Sequence, residues 1–297
     1  MEILDILKII LIGIIEGVTE WLPVSSTGHM IIVSNLWEIF GGKFWSDKFS
    51  VGFSDVFDYA IQLGAIIAVV VVFFGRLFPL KIESVNENGT LKKRKLRLDG
   101  EVMSTWLKVI IACIPAVVAI LVDELFEGIG TTAETIVIAC MLVLYGVAFI
   151  LIENFNKNKV AKVNSVREIT LKTAFFIGCF QVLASIPGTS RSGITIIGAL
   201  LLGVSRTAAA EFTFFLAIPT MVGASGFKIL KFILDGATFS MVEIWALLLG
   251  MVVAFAVSMF VIKGLMAFVK KHDFKIFGWY RIALGIIVIL ICLIIPR

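Results

Sequence analysis

A short polar stretch between two apolar runs carries the residue types best suited to chemistry. It reads EGVTEWLPVSSTGH and covers residues 16–29. Glu16 and Glu20 are four positions apart, so a helix places both carboxylates on one face. Two carboxylates that face a phosphate suit Mg²⁺ or Ca²⁺, because these cations prefer oxygen ligands. The stretch therefore predicts a divalent-cation site, although a pair that merely extends to the membrane interface stays open as an alternative.

The hydroxyl groups that follow the proline predict an anion site. Ser25, Ser26 and Thr27 lie where a helix can begin, and the free N–H groups of a helix N-terminus bind anions. The same residues can simply cap the helix. Capping does not explain His29, one of only two histidines. A histidine beside hydroxyls and carboxylates can serve as a base or a nucleophile.

A second polar stretch, QVLASIPGTSRSG at residues 181–193, interrupts another apolar region. Arg191 suits bidentate recognition of phosphate and keeps its charge at any relevant pH. We expect it to form an oxyanion cradle with the neighbouring Gly188, Ser190 and Ser192. Weaker candidates are Gln62 and Gln181, which can orient a catalytic group, together with Arg206 and Glu211.

The composition identifies the elements that hold these residues. The chain is 59% hydrophobic and 16% charged, whereas soluble domains average about 45–50% and about 25%. This predicts an all-α polytopic membrane protein with one membrane domain, 1–297. The net charge of +4 is concentrated in loops, so it indicates membrane topology and not a nucleic-acid partner.

Six segments have the roughly 18 apolar residues that a helix needs to cross the hydrocarbon. They are 57–75, 105–122, 135–152, 210–233, 241–263 and 278–295. Regions 3–40 and 173–204 are also apolar, but the two polar stretches break them. Broken backbone at membrane depth requires burial in protein or a wet cavity. We therefore expect two re-entrant helix pairs, with two ordinary spans per region as the alternative.

Lysine and arginine in short loops predict the orientation. Loops 76–104, 153–172 and 264–277 are basic, and the first of these contains a solvated loop at 84–100. If basic loops face inward, the six spans alternate correctly only when both broken regions return to the side they entered. Both termini then lie outside.

The two polar stretches also resemble each other. Glu16 and Glu20 correspond to Gln181 and Ser185, and in each stretch a serine follows three residues after a proline, at Ser26 and Ser190. With the orientation, this predicts inverted repeats at 1–125 and 170–270, a transporter-like architecture with its site at the repeat interface.

The motifs EGVTEWLPVSSTGH, PGTSRSG and GVSRTAAAEFTFFLAIP resemble the bacterial undecaprenyl-pyrophosphate phosphatase family of the bacitracin-resistance type, over nearly the whole chain. The resemblance implies hydrolysis of a polyprenyl pyrophosphate to the monophosphate carrier lipid, which recycles it for cell-wall synthesis. It also implies inverted repeats, a plasma-membrane location and a site that opens outward. The family's acidic positions match Glu16 and Glu20, its nucleophile candidates Ser26 and His29, and its phosphate-binding arginine Arg191.

Several alternatives stay open at this level. Either Ser26 attacks the phosphorus while Glu20 or His29 takes its proton, or His29 attacks and Ser26 positions the phosphate. The rival function is a lipid or ion transporter or flippase. The small residues from Gly223 to Gly226 can pack helices within one chain or between two copies, so a homodimer is one option.

Overall fold

The computed structural model describes residues 2–41, 44–45, 48–87, 91–119, 131–236 and 238–294. Six of its helices are long and apolar enough to cross a membrane. They are Phe53–Val72, Gly100–Ala119, Ala133–Asn156, Arg206–Leu234, Met241–Phe268 and Lys275–Cys292. All six predicted spans are therefore confirmed, with most helices beginning a few residues earlier than predicted. The predicted ends at 122 and 295 lie outside the described residues.

The described elements are helices apart from one pair of strands. The helices are α1 (Ile3–Thr19), α2 (Ser26–Gly41), α3 (Phe53–Val72), α4 (Phe74–Leu77), α5 (Gly100–Cys113), α6 (Thr131–Asn156), α7 (Leu171–Val182), α8 (Arg191–Leu201), α9 (Arg206–Leu234), α10 (Met241–Phe268) and α11 (Lys275–Ile294). The strands are β1 (Leu80–Glu87) and β2 (Leu91–Leu98). Two short 3-10 turns, Val166–Glu168 and Leu183–Ser185, flank α7.

Both predicted breaks are present, but they are narrower than the polar stretches. Helix α1 continues to Thr19 and α2 begins at Ser26, while α7 continues to Val182 and α8 begins at Arg191. Glu16 and Gln181 are therefore helical residues. Each break is left with a few irregular residues around a proline, which has no N–H to continue the helix.

Close helix packing holds the broken pairs in place. Helix α1 packs along α10, α7 packs along α5, and α9 runs beside both α3 and α8. Glycine makes these approaches possible: a Cβ atom on Gly178 would lie 2.1 Å from the carbonyl oxygen of Ala112. Trp21, in the first break, is 1% exposed and packs edge-on against Phe214 of α9 at 5.4 Å. The breaks are thus supported by the main apolar core.

The basic segment 84–100, predicted as a solvated loop, is instead mostly an antiparallel ribbon. Leu80 lies opposite Leu98 and Glu87 opposite Leu91. Asn88-Gly89, a dipeptide typical of hairpin turns, lies between the strands but outside the described residues. At the base of the ribbon, an ion pair with Lys81 lowers the pKa of Asp99.

Candidate active site

Two helix starts meet at the centre of the molecule, and a serine caps each of them. The hydroxyl of Ser25 accepts from the N–H of Gly28 at 3.4 Å, and that of Ser190 accepts from Gly193 at 3.2 Å. Both caps satisfy backbone donors that a helix start leaves unpaired. Ser25 and Ser190 thus occupy the same capping position, whereas counting from the prolines pairs Ser26 with Ser190.

The two stretches can also be aligned on their capping serines. Matching Ser25 to Ser190 also matches Glu16 to Gln181 and Glu20 to Ser185, without any gap. The first helical residues, Ser26 and Arg191, then correspond. The two prolines lie one place apart in this alignment, so counting from them pairs Ser190 with Ser26 instead.

Glu20 joins the two halves of the site. Its Oε2 atom accepts from the hydroxyl of Ser26 at 3.0 Å, and its Oε1 atom accepts from Nη2 of Arg191 at 2.7 Å. The side chains of Arg191 and Glu20 are only 17% and 10% accessible. A charge-assisted hydrogen bond of this kind is about twice as strong as a neutral one. The corresponding first residues of α2 and α8 thus contact the same carboxylate.

Arg191 is anchored on its other side by α9. Its Nη1 atom donates to the Thr220 hydroxyl at 3.2 Å, and the Ala217 carbonyl oxygen lies at 3.5 Å. Ser192 donates to the Glu20 carbonyl oxygen at 3.1 Å. These contacts fix the guanidinium plane and bind the start of α8 to the first break.

A cavity of about 210 Å³ opens beside this cluster. Its lining contains Glu20, Ser25, Ser26, Thr27, Gln62, Ser190, Arg191 and Ser192, all of which were candidates from the sequence, and also Thr189, Thr220, Met221 and Ala224. Hydroxyl groups and one guanidinium dominate the wall. The cavity can therefore bind an oxyanion in contact with Ser26 and Arg191, which both line it.

Glu16 lies one helical turn before Glu20 and outside the cavity lining. It is 2% exposed, and its Oε1 atom has no hydrogen-bond partner within the described residues. A buried polar atom without a partner is costly and calls for a ligand or a function. Gln181, its counterpart, is also buried and outside the lining. No group of three or more His, Cys, Asp or Glu suited to a metal occurs in the part of the chain that the structure describes.

His29 is not among the residues that line the cavity. Its Nδ1 atom lies 2.7 Å from the carbonyl oxygen of Ser25, and its Nε2 atom lies 2.6 Å from the hydroxyl of Tyr280. The two rings stack with centroids 5.6 Å apart. Both nitrogens are thus engaged. Ser25, whose carbonyl His29 contacts, has a φ of 73°, an unusual value for a residue other than glycine.

A buried arginine that the sequence analysis missed connects the two breaks. Arg281 of α11 is 0% exposed and donates to the carbonyl oxygens of Pro23 at 3.4 Å and Gly188 at 3.1 Å. Gly188 has a φ of 84°, and a Cβ there would lie 2.6 Å from the Cα of Ile138. Gly188 therefore forms a tight turn held by Arg281. An arginine within an apolar span was the signal that identified Arg191, and it applied equally to Arg281.

Two of the four weaker candidates, Arg206 and Glu211, form ion pairs outside the Glu20 cluster. Arg206 pairs with Glu153, with its Nη2 atom 2.5 Å from the carboxylate, and Glu211 pairs with Arg76 at 2.6 Å. Neither Arg206 nor Glu211 lines the cavity beside Glu20. They stabilise helix packing near the ends of α6 and α3.

The fold and the site define a class: a polytopic α-helical membrane protein whose two broken helix pairs share a Glu–Arg–Ser cluster. A family model described as "Bacitracin resistance protein BacA" matches residues 9–287. The chain belongs to this family.

The chain is also similar to other proteins over nearly its whole length. It is 53% identical over 292 residues to the "Undecaprenyl-diphosphatase" of Enterococcus faecalis, and the match covers 98% of each chain. It is 50% identical over 292 residues to a protein of the same name from Desulfitobacterium hafniense, covering 98% of this chain and 97% of the relative. It is 49% identical to "Undecaprenyl-diphosphatase 1" of Clostridium acetobutylicum, covering 99% and 100%.

Proposed function

We propose that this chain is an integral membrane phosphatase that hydrolyses undecaprenyl pyrophosphate to undecaprenyl phosphate and inorganic phosphate. The names of relatives about 50% identical over the full chain support this substrate. The observation that carries the proposal is the Glu20 carboxylate between the Ser26 hydroxyl and the Arg191 guanidinium, beside a hydroxyl-lined cavity. The reaction would recycle the carrier lipid for cell-wall synthesis in the bacterial plasma membrane.

The proposed architecture has two re-entrant helix pairs in inverted repeats, within 1–125 and 170–270. The helix packing supports it. Helix α1 of the first proposed repeat packs on α10 of the second, and α7 of the second packs on α5 of the first. Gly13, whose Cβ position lies 3.0 Å from the Gly250 carbonyl, corresponds to Gly178 in the alignment that matches the two serine caps. Both glycines thus mark the same helix crossing. Basic loops would face inward, and the site would open outward.

The terminal phosphate of the substrate would occupy the cavity. Arg191 offers two N–H donors and a fixed positive charge, which suits a phosphate oxygen pair. The hydroxyls of Ser25 and Thr27 can donate further hydrogen bonds, whereas that of Ser192 already donates to the Glu20 carbonyl oxygen. The start of each helix adds a favourable dipole. The prenyl tail would lie along an apolar groove between helices.

Ser26 is the proposed nucleophile and Glu20 its base. Their hydrogen bond of 3.0 Å already places the proton acceptor on the attacking hydroxyl. Attack forms a bond from Oγ to the terminal phosphorus and breaks its bond to the bridging oxygen, which leaves with the lipid monophosphate. Water then hydrolyses the phosphoserine. Phosphoryl transfer depends mainly on such positioning and on charge stabilisation by groups like Arg191.

His29 is assigned a positioning role in this scheme. Its two ring nitrogens contact Ser25 and Tyr280, so the imidazole has no free nitrogen directed at the cavity. Its contact with the Ser25 carbonyl stabilises the left-handed backbone directly before Ser26. Direct attack by His29, the alternative from the sequence, would require the contact of the attacking nitrogen to break.

A divalent cation, Mg²⁺ or Ca²⁺, is proposed at Glu16 and Glu20. The donors fit, since both are hard carboxylate oxygens and one oxygen of Glu16 is buried without a partner among the described residues. When bound, the ion would offset phosphate charge. Gln62, which lines the cavity, and Gln181 are proposed to orient these groups. The homodimer stays a prediction.

The test is phosphate release by purified protein in detergent, given a long-chain polyprenyl pyrophosphate, with and without a chelator. Arg191→Ala should lower kcat by about 100–1,000-fold, the typical effect of removing one charge-stabilising donor. Glu20→Gln should lower it by about 100–10,000-fold as expected for a general base. A folded wild type that moves the lipid or an ion without releasing phosphate would instead support the transporter.

A further inference from the structure

A second and larger cavity lies at the opposite end of α8 from the candidate active site. Its volume is about 680 Å³, and its wall includes Leu200 to Thr207, at the turn between α8 and α9. Helix α8 runs from Arg191 to Leu201, about 16 Å at the usual rise per residue. The two cavities therefore flank one short helix.

Hydrogen bonds hold the wall of this cavity in place. The backbone N–H of Lys162 donates to the Gly203 carbonyl at 2.9 Å, and that of Ser205 donates to Val163 at 2.8 Å. The Asn156 side chain donates to the Leu200 carbonyl at 3.2 Å. The loop after α6 is thus attached to the α8–α9 turn, so the cavity is a built feature of the fold.

The wall is strongly basic. Four cationic side chains line it, Lys157, Lys159, Lys162 and Arg206, against the single carboxylate of Glu153. Glu153 is fully engaged, since it accepts from Arg206 at 2.5 Å and from the Phe274 N–H at 3.0 Å. The three lysines are exposed and have no carboxylate partner in the described part of the chain. The Lys159 ammonium lies over the ring of Phe155, 2.9 Å from its centroid, so Lys157 and Lys162 carry the uncompensated positive charges around the cavity.

Apolar side chains adjoin these charges. Phe155 and Leu201 line the cavity and are 65% and 48% exposed, and Val160 is 91% exposed. The cavity also lies where the candidate membrane span Ala133–Asn156 ends. A soluble anion gains no contact from the exposed apolar side chains, whereas an anionic lipid contacts both the charged side chains with its headgroup and the apolar side chains with its acyl chains.

We propose that this cavity binds the phosphate headgroup of an anionic phospholipid, with the acyl chains against Phe155 and Leu201. The lysines supply the charge, and the exposed apolar side chains supply the contact with the acyl chains. The site is separate from the Glu20 cluster and does not depend on the reaction proposed there.

The test compares two triple variants of the full-length protein by native mass spectrometry in detergent. Lys157→Gln, Lys159→Gln and Lys162→Gln remove the cavity lysines. Lys172→Gln, Lys270→Gln and Lys271→Gln remove the same charge from other exposed basic positions outside the cavity lining. Binding of phosphatidylglycerol should weaken about 100-fold in the first variant, roughly fivefold per lysine, and less than about threefold in the second. Wild type should bind phosphatidylcholine much more weakly.

Each other outcome would overturn the proposal. Equal losses in both variants would mean general surface charge, and equal binding of the two lipids would mean no headgroup selection. Displacement of the lipid by millimolar inorganic phosphate would identify a soluble-anion site. The cavity variant should unfold at the wild-type temperature and release phosphate at the wild-type rate. A loss of lipid binding in this variant is therefore independent of the proposed phosphatase activity. If the triple variant unfolds, Lys162→Gln alone should weaken binding about fivefold.

Discussion

Substitution of Arg281 tests how the two helix breaks are held together. This buried side chain donates to the carbonyl oxygens of Pro23 and Gly188, and the Met141 carbonyl lies at 3.5 Å. Arg281→Met keeps much of the apolar stem and removes the charge and its donors. The carbonyls that it leaves behind lie in the segments immediately before Ser26 and Arg191.

The expected magnitude follows from these contacts. A hydrogen bond to a charged group contributes about 1.5–3 kcal/mol, so two good ones are worth about 3–6 kcal/mol. Relief from burying a guanidinium offsets part of this loss. We therefore expect the free energy of unfolding to fall by about 2–4 kcal/mol. A misplacement of about 1 Å between reacting groups can cost about 100-fold, so kcat should fall by about 10–100-fold.

The assay is phosphate release with KM and kcat measured separately, beside thermal unfolding in detergent. Arg281→Lys keeps the charge and should recover part of both losses. Arg167→Met is the matched control, since its ion pair with Glu101 is exposed and should contribute at most about 1 kcal/mol. An Arg281→Met protein with wild-type kcat and wild-type unfolding temperature would refute the role of Arg281 as the connection between the breaks.

Two further predictions test the packing and the histidine. Gly178→Ala should destabilise the protein by about 1–3 kcal/mol, because its Cβ would lie 2.1 Å from the Ala112 carbonyl oxygen, whereas Gly75→Ala meets open space and should melt like wild type. Equal melting of both variants would contradict the helix crossing. Tyr280→Phe removes the partner of His29 Nε2 and should lower kcat about fivefold in the phosphate-release assay, the effect of one hydrogen bond. A loss as large as that of Ser26→Ala would instead indicate that His29 attacks directly.

The sequence predicted the spans and the two breaks because both depend on local composition. Long apolar runs must be helical in a membrane, and polar residues next to a proline interrupt them. Glu20, Ser26 and Arg191 were found because charged and hydroxyl residues are conspicuous in such runs. The residue types show that these three side chains could form one polar cluster, but they do not show which hydrogen bonds join them.

The missed features depend on contacts between distant parts of the chain. His29 meets Tyr280 across 251 positions, and Arg191 meets Thr220 of a different helix. The shared capping role of Ser25 and Ser190 required the observed helix starts, because counting from the prolines selects Ser26 instead. The β-ribbon was missed because its many basic residues suggested a solvated loop, although the Asn-Gly dipeptide favours a hairpin.

The most direct test of the account is to trap the intermediate. Purified protein would be mixed with polyprenyl pyrophosphate labelled in its terminal phosphate, quenched in acid, digested and analysed by mass spectrometry. The account predicts an acid-stable phosphate on Ser26, and in Ser26→Ala the loss of that label together with a fall in kcat on the order of 10⁴-fold or more. Label on His29 that acid removes, with turnover retained in Ser26→Ala, would contradict it.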